Sequence, residues 1–400
     1  MLIQKIKVYL IIIFTSLVFT LYLGESYLTF YVKGGKNFWK DIAYKAKIYK
    51  KLTGKEYDVR SLPDAYNEMA SKHKNSSLAL SPENRYKENF FSLSGVSNSK
   101  TIHCNENGYY SNYLSDRYGF NNPDTEWDSK EIDYLIVGDS FAHGACVNRP
   151  HDFSSVLRIL SKKTVINLGI RGNGPLNEYA SLREYIPKNV KNIIWFYYEN
   201  DLIDLSSEIG NKILVKYLKD KDFSQKLITK QNILDSYLKA KITKELIGIK
   251  KDLAYWDNYF STKKIFLRFI RLDKIKSFIL TIGKKKSSYN TSKSLKQFKK
   301  ILILTKSLAL ESNSNLYFVY LPSYYRYKNN FFSNYNRSSN YDKVVKIVND
   351  LDIPLLDMNK DFFLKQKNPT EYFPYGKYGH YTIEGYSKLT SLIYQFTKKI

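Results

Sequence analysis

Ser140 and His380 are far apart in the sequence, but each has surroundings that suit catalysis. Ser140 stands in GDSF (138–141), directly after the apolar run 132–137. A serine in a tight turn between a strand and a helix has an exposed hydroxyl, and the helix N-terminus stabilises negative charge there. Gly-Asp-Ser alone is a weak signal, because ordinary turns use these residues. His380 stands in GHYTIEGY, just before a predicted final helix, and a nearby histidine can take a proton from a serine.

Two further polar elements follow apolar runs in the same way. The segment 167–172 has the pattern N-x-G-x-x-G, in which the last glycine, Gly172, leaves a backbone N–H accessible. Asn200 and Asp201 follow a third apolar run, and the Asn200 amide could reach the same place. Serine, glycine, asparagine and histidine therefore each occupy a turn next to a predicted strand or helix.

The elements that must position these residues are apolar runs separated by helical patterns. Continuous apolar runs that end in turns are typical of buried parallel strands. Strands that alternate with helices predict an α/β sheet with helices on both faces, and sites in such sheets collect at the carboxyl ends of the strands. The five runs are 132–140, 164–175, 192–201, 315–323 and 353–358.

The four elements together resemble the marker blocks of the SGNH (GDSL-type) hydrolase family, in family order. They are GDSF with Ser140, NLGIRGN with Gly172, END with Asn200, and GHYTIEGY with His380. The resemblance covers roughly 131–204 and 313–400 and implies a three-layer α/β/α, flavodoxin-like fold. It implies hydrolysis or transfer of acyl groups, with Ser140 as nucleophile and His380 as base. The oxyanion hole would comprise the N–H groups of Ser140 and Gly172 and the amide of Asn200.

Two positions depart from the family pattern. The family usually carries an aspartate two or three residues before the histidine, where this chain has Tyr378 and Lys377. The glycine that normally precedes the asparagine is Glu199. Either a backbone carbonyl orients His380, or a carboxylate from elsewhere does so. Asp361 and Glu371 are the candidates.

The N-terminus predicts a membrane anchor. Residues 8–24 carry no charge and are almost wholly apolar, and lysines precede them. A run of this length reaches the lower limit of the ~17–25 residues that span a bilayer. We predict a cytoplasmic N-terminus (1–7), an uncleaved transmembrane anchor (8–31), a stalk and loop-rich segment (32–130) and an SGNH-like domain (131–400). The last contains a lysine-rich helical insertion (205–295).

The orientation of the anchor depends on the two cysteines. Seven lysines follow the anchor within 33–51 and two precede it, which by the positive-inside rule favours a cytoplasmic domain. Two cysteines in a long chain can be unrelated buried thiols. However, Cys146 lies just past Ser140, and Cys104 lies in the segment that leads into the same strand. We predict that they form a disulfide, which suits an oxidising compartment and places the domain outside the cytoplasm, in the periplasm.

The net charge of +25 does not point to nucleic acid, because the lysines are spread along the whole chain. We expect no metal, since no histidine, cysteine or acidic residues have ligand spacing. We also expect no cofactor, since NLGIRGNGP lacks the GxGxxG spacing of a dinucleotide site. The expected partners are an acylated carbohydrate or lipid substrate and the membrane itself.

The leading hypothesis is a membrane-anchored, extracytoplasmic serine esterase or O-acyl (acetyl) transfer enzyme acting on cell-envelope or extracellular polysaccharide. The alternative is a catalytically weak or inactive SGNH scaffold that binds glycan in a polysaccharide assembly complex. The absent aspartate before His380 supports the scaffold. The presence of Ser140, Gly172, Asn200 and His380 supports the enzyme.

Overall fold

The structure is a computed structural model that describes residues 2–30, 38–281, 291–328 and 337–398. Some predicted boundaries fall in the gaps. Residue 31 at the end of the predicted anchor, the start of the stalk and residues 282–290 of the predicted insertion lie outside the described residues.

The strands are numbered here in chain order. They are β1 (Ser76–Leu78), β2 (Tyr86–Lys87), β3 (Phe90–Phe91), β4 (Lys100–Ile102), β5 (Asn112–Leu114), β6 (Ile132–Val137), β7 (Val165–Asn167), β8 (Val190–Tyr198), β9 (Asn315–Leu321) and β10 (Leu355–Asp357).

The α-helices are numbered in the same way, and short 3₁₀ helices lie between them. The first eight are α1 (Leu2–Phe30), α2 (Phe38–Thr53), α3 (Leu62–Lys72), α4 (Pro82–Arg85), α5 (Ser140–His143), α6 (Phe153–Ser161), α7 (Pro175–Tyr185) and α8 (Asp201–Glu208). The others are α9 (Leu214–Lys219), α10 (Gln231–Tyr259), α11 (Thr262–Ile270), α12 (Asp273–Thr281), α13 (Thr291–Glu311), α14 (Arg337–Asp350), α15 (Met358–Asp361) and α16 (Ile383–Lys398).

The chain is a mixed α/β protein with a parallel central sheet. Within the described residues this sheet has the strand order β10-β9-β8-β6-β7, and every neighbouring pair is parallel. Numbered along the sheet's own strands, the order is 2-1-3-4-5. The first connection runs from β6 to one side, and the later strands are added on the other side of β6. Sites in doubly wound sheets form at such a switch in strand order. The five strands coincide with the five predicted apolar runs.

The central strands are apolar on both faces because both faces are covered. Along β8, Ile193, Trp195 and Tyr197 face one apolar cluster, and Ile194 and Phe196 face the other. Helices α7, α8 and α13 pack together on the first side, and α6 packs with α16 on the second. Alternate residues of one strand thus join two separate helix layers, as the three-layer prediction requires.

Two compact units divide the chain. Residues 48–247 and 289–400 form one unit, which contains the whole central sheet. Position 131, the predicted start of the domain, lies inside it, and Phe91, Leu93 and Phe120 of the preceding segment belong to the same apolar core as the sheet. The small sheet β1-β4-β5 also belongs to this unit.

Residues 1–47 and 248–288 form the other unit. It contains α1, α11 and α12 and the adjoining parts of α2 and α10. Within α1, the stretch Ile3–Thr29 is long and apolar enough to cross a membrane.

Candidate active site

Ser140 is the first residue of α5 and lies immediately after the turn at the end of β6. Asp139 caps the helix, because its Oδ1 accepts the N–H of Phe141 at 2.8 Å. A Cβ on Gly138 would lie 2.7 Å from the Cβ of Ala142, so only glycine allows a turn this tight. The turn leaves Ser140 half-buried, with its hydroxyl at the carboxyl edge of the sheet.

His380 lies in the loop before α16, within proton-transfer reach of Ser140. Its Nε2 is 2.9 Å from the Ser140 Oγ. The ring packs against Phe141, with ring centroids 4.7 Å apart. The structure thus brings together two predicted residues that are 240 positions apart in the sequence.

A carboxylate that the sequence did not indicate completes this contact. Glu106 Oε2 lies 3.1 Å from His380 Nδ1 and accepts the backbone N–H of His380 at 2.6 Å. An Nδ1–H donated to Glu106 leaves Nε2 free to accept the serine proton. Ser140, His380 and Glu106 therefore have the mutual geometry of a catalytic triad.

Neither of the carboxylates considered from the sequence takes this position. Asp361 Oδ2 accepts the N–H of Asp357 at 3.0 Å, and Glu371 is exposed. Gly379 explains how Glu106 comes so close, because a Cβ there would lie 2.8 Å from Glu106 Oε2.

We call residues 104–111, which carry Glu106, the carboxylate loop. Its two ends are joined by a hydrogen bond from the N–H of Ser111 to the carbonyl of Cys104, at 2.9 Å. On one side, the Asn107 amide donates to the carbonyl of Cys146 at 3.0 Å. On the other, the Asn105 amide donates to the carbonyl of Asp58 at 2.7 Å. The loop is therefore anchored on both sides of Glu106.

The predicted disulfide joins this loop to the segment after α5. Cys104 and Cys146 are bonded, with their Cα atoms 4.9 Å apart. The Cys146 Sγ lies 3.7 Å from His380 Nδ1, so the bond also contacts the imidazole. Glu106, Cys146 and His380 offer ligand atoms within 4.8 Å of one another, but the bonded sulfur of Cys146 is not a thiolate, and this group does not fit a metal ion.

The electrostatics of the contact favour the protonated form of His380. Burial lowers the pKa of His380, but the charge and hydrogen bond of Glu106 outweigh it, and the net pKa lies above the ordinary value of 6.5. Burial raises the pKa of Asp139 to about 6. His143, one turn after Ser140, is buried, and burial lowers its pKa to about 3, so it stays neutral.

Gly172 and Asn200 lie beside Ser140 in the topology, because β7 and β8 flank β6 in the sheet. Gly172 has φ +71° in the turn after β7. Asn200 immediately precedes α8, and its Nδ2 donates to Asp204 at 2.5 Å. An amide nitrogen carries two hydrogens, so one remains for a ligand. Among the hydrogen bonds of the described residues, none joins Gly172 or Asn200 to Ser140, and their role as oxyanion donors stays a prediction.

Asn167 and Glu199, which lie near the motifs, make hydrogen bonds that account for the presence of these polar residues. Asn167 donates from its Nδ2 to the carbonyl of Ala142 at 2.6 Å, which braces α5 from behind. Glu199, which replaces the family's glycine, accepts hydrogen bonds from Tyr320, Ser323 and Arg326. The unusual glutamate is therefore part of a half-buried ion pair with Arg326 and is bonded to Tyr320 at the end of β9.

Among solved structures, the chain has distant likenesses. One is a protein described as lipolytic and of the G-D-S-L family from Desulfitobacterium hafniense DCB-2, with 12% identity and a TM-score of 0.37, over 66% of this chain and 99% of that one. A second structure has 11% identity and a TM-score of 0.36, over 68% of this chain and 97% of its own. No family model and no curated protein sequence matches the chain.

Replacing Glu106 tests whether its charge acts through His380. In Glu106→Gln the pKa of His380 should fall, because burial then acts without the opposing anion. The acidic limb of the pH profile for ester turnover should therefore move to lower pH, while kcat falls by up to about 10⁴-fold, as for amide replacement in other triads. Glu371→Gln, the matched control, should change neither quantity. A wild-type pH profile for Glu106→Gln would contradict the assignment.

Removing the disulfide tests how the carboxylate loop is held. The bond closes a loop with a sequence separation of 42, so Cys104→Ser with Cys146→Ser should lower the free energy of unfolding by roughly 2–4 kcal/mol. Ester turnover should fall as well, because Glu106 loses its nearest covalent support. These are the chain's two cysteines, so the double variant is also the control for reductant: dithiothreitol should inhibit wild type and leave the variant unaffected. Equal turnover in both proteins would contradict this role.

Proposed function

We propose that this chain is a membrane-anchored serine esterase or O-acyl transfer enzyme of the SGNH type. The observation that carries the proposal is the continuous contact from Ser140 Oγ through His380 to Glu106, at 2.9 and 3.1 Å. It stands at the carboxyl edge of a parallel sheet, beside the switch in strand order, where sites in such folds form.

The geometry supports acyl transfer in two half-reactions. Ser140 Oγ attacks the ester carbonyl as its proton passes to His380 Nε2, and Glu106 stabilises the imidazolium that forms. The tetrahedral intermediate collapses, and His380 returns the proton to the leaving alkoxide. Water, or the hydroxyl of an acceptor, then gives its proton to His380 and attacks the acyl-serine. The second tetrahedral intermediate collapses as His380 passes that proton to Ser140 Oγ, which frees the serine. The N–H groups of Ser140 and Gly172 and the Asn200 amide are the proposed oxyanion donors.

The proposed substrate is an acylated carbohydrate of the cell envelope or extracellular matrix. Tyr378, two residues before His380, is exposed, and its ring lies 5.0 Å from that of Tyr325. The exposed Tyr378 ring offers an apolar face on which a sugar ring can stack. An acylated lipid would use the same nucleophile, and the two substrates differ in whether they need these tyrosines.

The inactive-scaffold alternative loses its support in this arrangement. It depended on the absence of a carboxylate that could orient His380. Glu106 provides one, although it precedes His380 by 274 residues.

Replacing Ser140 tests the proposed nucleophile. Ser140→Ala should lower turnover of a short-chain aryl ester by about 10⁶-fold, as when a serine nucleophile is removed from a comparable triad, and leave folding intact. A fluorophosphonate probe should label wild type on the Ser140 peptide, detected by mass spectrometry, and should not label the variant. Ser206→Ala is the control, since that half-buried hydroxyl bonds only within its own helix, to the carbonyl of Ile203. A wild-type protein that neither turns over esters nor reacts with the probe would favour the scaffold.

The location of the catalytic unit outside the cytoplasm can be tested separately. We propose it because the Cys104–Cys146 bond suits an oxidising compartment. A C-terminal fusion to alkaline phosphatase, which becomes active only after export, should be active, whereas a fusion of the reporter to a chain without residues 1–30 should not. If both reporters are expressed and neither is active, the unit lies in the cytoplasm. The positive-inside rule, applied to the lysines after the anchor, favours that location.

A further inference from the structure

Helices α11 and α12, here called the insertion hairpin (262–281), pack against the C-terminal part of α1. The Tyr22 hydroxyl donates to the carbonyl of Ile270 at 3.0 Å, and the Tyr22 ring lies 5.5 Å from that of Phe269. Residues 3–17 of α1 are all exposed, whereas most from Val18 to Thr29 are partly or wholly covered. The insertion hairpin therefore covers one end of the apolar helix.

Glu25 is the acidic residue within the apolar helix; it is fully buried, and its carboxylate contacts the insertion hairpin. Its two carboxylate oxygens accept the N–H groups of Lys274 and Ile275, at 3.0 and 2.8 Å. These groups belong to the first turn of α12, where the helix dipole stabilises an anion. A carboxylate on a membrane helix would be costly without such partners. The contact thus allows α1 to carry Glu25 at the membrane boundary.

The outer surface of the insertion hairpin combines apolar and basic side chains. Phe266, Ile270, Phe278, Ile279 and Leu280 are all large, apolar and exposed. The hairpin also carries six basic residues against the single acid Asp273: Lys263, Lys264, Arg268, Arg271, Lys274 and Lys276. Short helices with exposed apolar residues and many lysines and arginines are typical of elements that lie in a membrane interface.

An aromatic cluster lies directly before the insertion hairpin, at the end of α10. Tyr255, Trp256, Tyr259 and Phe260 contact one another through their rings. Arg268 of the hairpin lies over the Tyr259 ring, 3.5 Å from its centroid. Tyrosine and tryptophan are enriched at the depth of the lipid headgroups. The lysines and arginines of the hairpin must also stay at that depth to remain in contact with water and phosphate.

We infer that the insertion hairpin is a second membrane-binding element, which lies in the interface of an anionic bilayer beside the anchor. The inference rests on the proposal that α1 spans the membrane. The apolar stretch of 27 residues is about 40 Å long as a helix, whereas the hydrocarbon core is about 30 Å thick. When α1 lies near the bilayer normal, one of its ends therefore reaches the headgroups. The end that the hairpin covers is the end that carries Glu25, Tyr22 and Tyr27.

Spin labels on the full-length protein in vesicles test this inference. Three exposed apolar residues, similarly accessible to solvent, are replaced by cysteine one at a time: Leu280 in the hairpin (65%), Phe14 in α1 (66%) and Leu310 in α13 (70%). The native cysteines are bonded to each other and do not react with the label. In vesicles of phosphatidylcholine and phosphatidylglycerol, labels at 14 and 280 should collide more with oxygen than with a water-soluble nickel chelate. The label at 310 should show the reverse.

The outcomes separate the hairpin from the anchor. Lipid exposure at 14 together with water exposure at 280 would overturn the hairpin inference and leave the anchor. Water exposure at both positions would overturn the anchor as well. Without phosphatidylglycerol, the label at 280 should become more exposed to water, and the label at 14 should not change. If the label at 280 is equally deep in neutral and in anionic vesicles, the requirement for anionic lipid is overturned. Protection at 280 that rises with protein concentration in detergent would assign the face to a second copy of the chain.

Discussion

The hydrogen bond between Glu106 and His380 is the contact on which the geometry of the candidate active site depends. It holds the imidazole through two donors, the ring Nδ1 and the backbone N–H, so that Nε2 faces Ser140. The carboxylate comes from a loop that contains no helix or strand. The Cys104–Cys146 bond and the side-chain amides of Asn105 and Asn107 restrain this loop. The disulfide therefore belongs to the architecture of the site.

The central sheet supplies the other half of the geometry. Burial on both faces fixes β6, β7 and β8 side by side, and the turns after these three strands carry Ser140, Gly172 and Asn200. The close approach of Gly138 to Ala142, and the bond from Asn167 to the carbonyl of Ala142, make the first turn rigid. Ser140, the proposed nucleophile, stands on a braced turn of the sheet, whereas His380 and Glu106 lie on loops, and it is the loops that need extra restraint.

Local patterns in the sequence predicted the strands and turns, because short-range patterns of apolar and turn-forming residues determine these elements. Apolar runs ending in turns located all five central strands, and the turn residues placed Ser140 and His380 at the same edge. Glu106 could not be found in this way, because its role depends on a contact across 274 residues and not on any strand or helix pattern. One signal was available: Glu106 is the only acidic residue between Cys104 and Ser115, and a disulfide to Cys146 would carry it towards Ser140.

The origin of the carboxylate changes what the residues before His380 are free to do. Where an aspartate precedes the histidine by two or three residues, those positions are committed to orienting the imidazole. Here Glu106 performs that task, and position 378 holds an exposed tyrosine that lies against Tyr325. Because the carboxylate is Glu106, the site also needs the segment that precedes the central sheet. Phe91, Leu93 and Phe120 of that segment belong to the apolar core of the sheet. A fragment beginning at residue 131 would keep Ser140 and His380, yet lack both the carboxylate and part of the core that supports them.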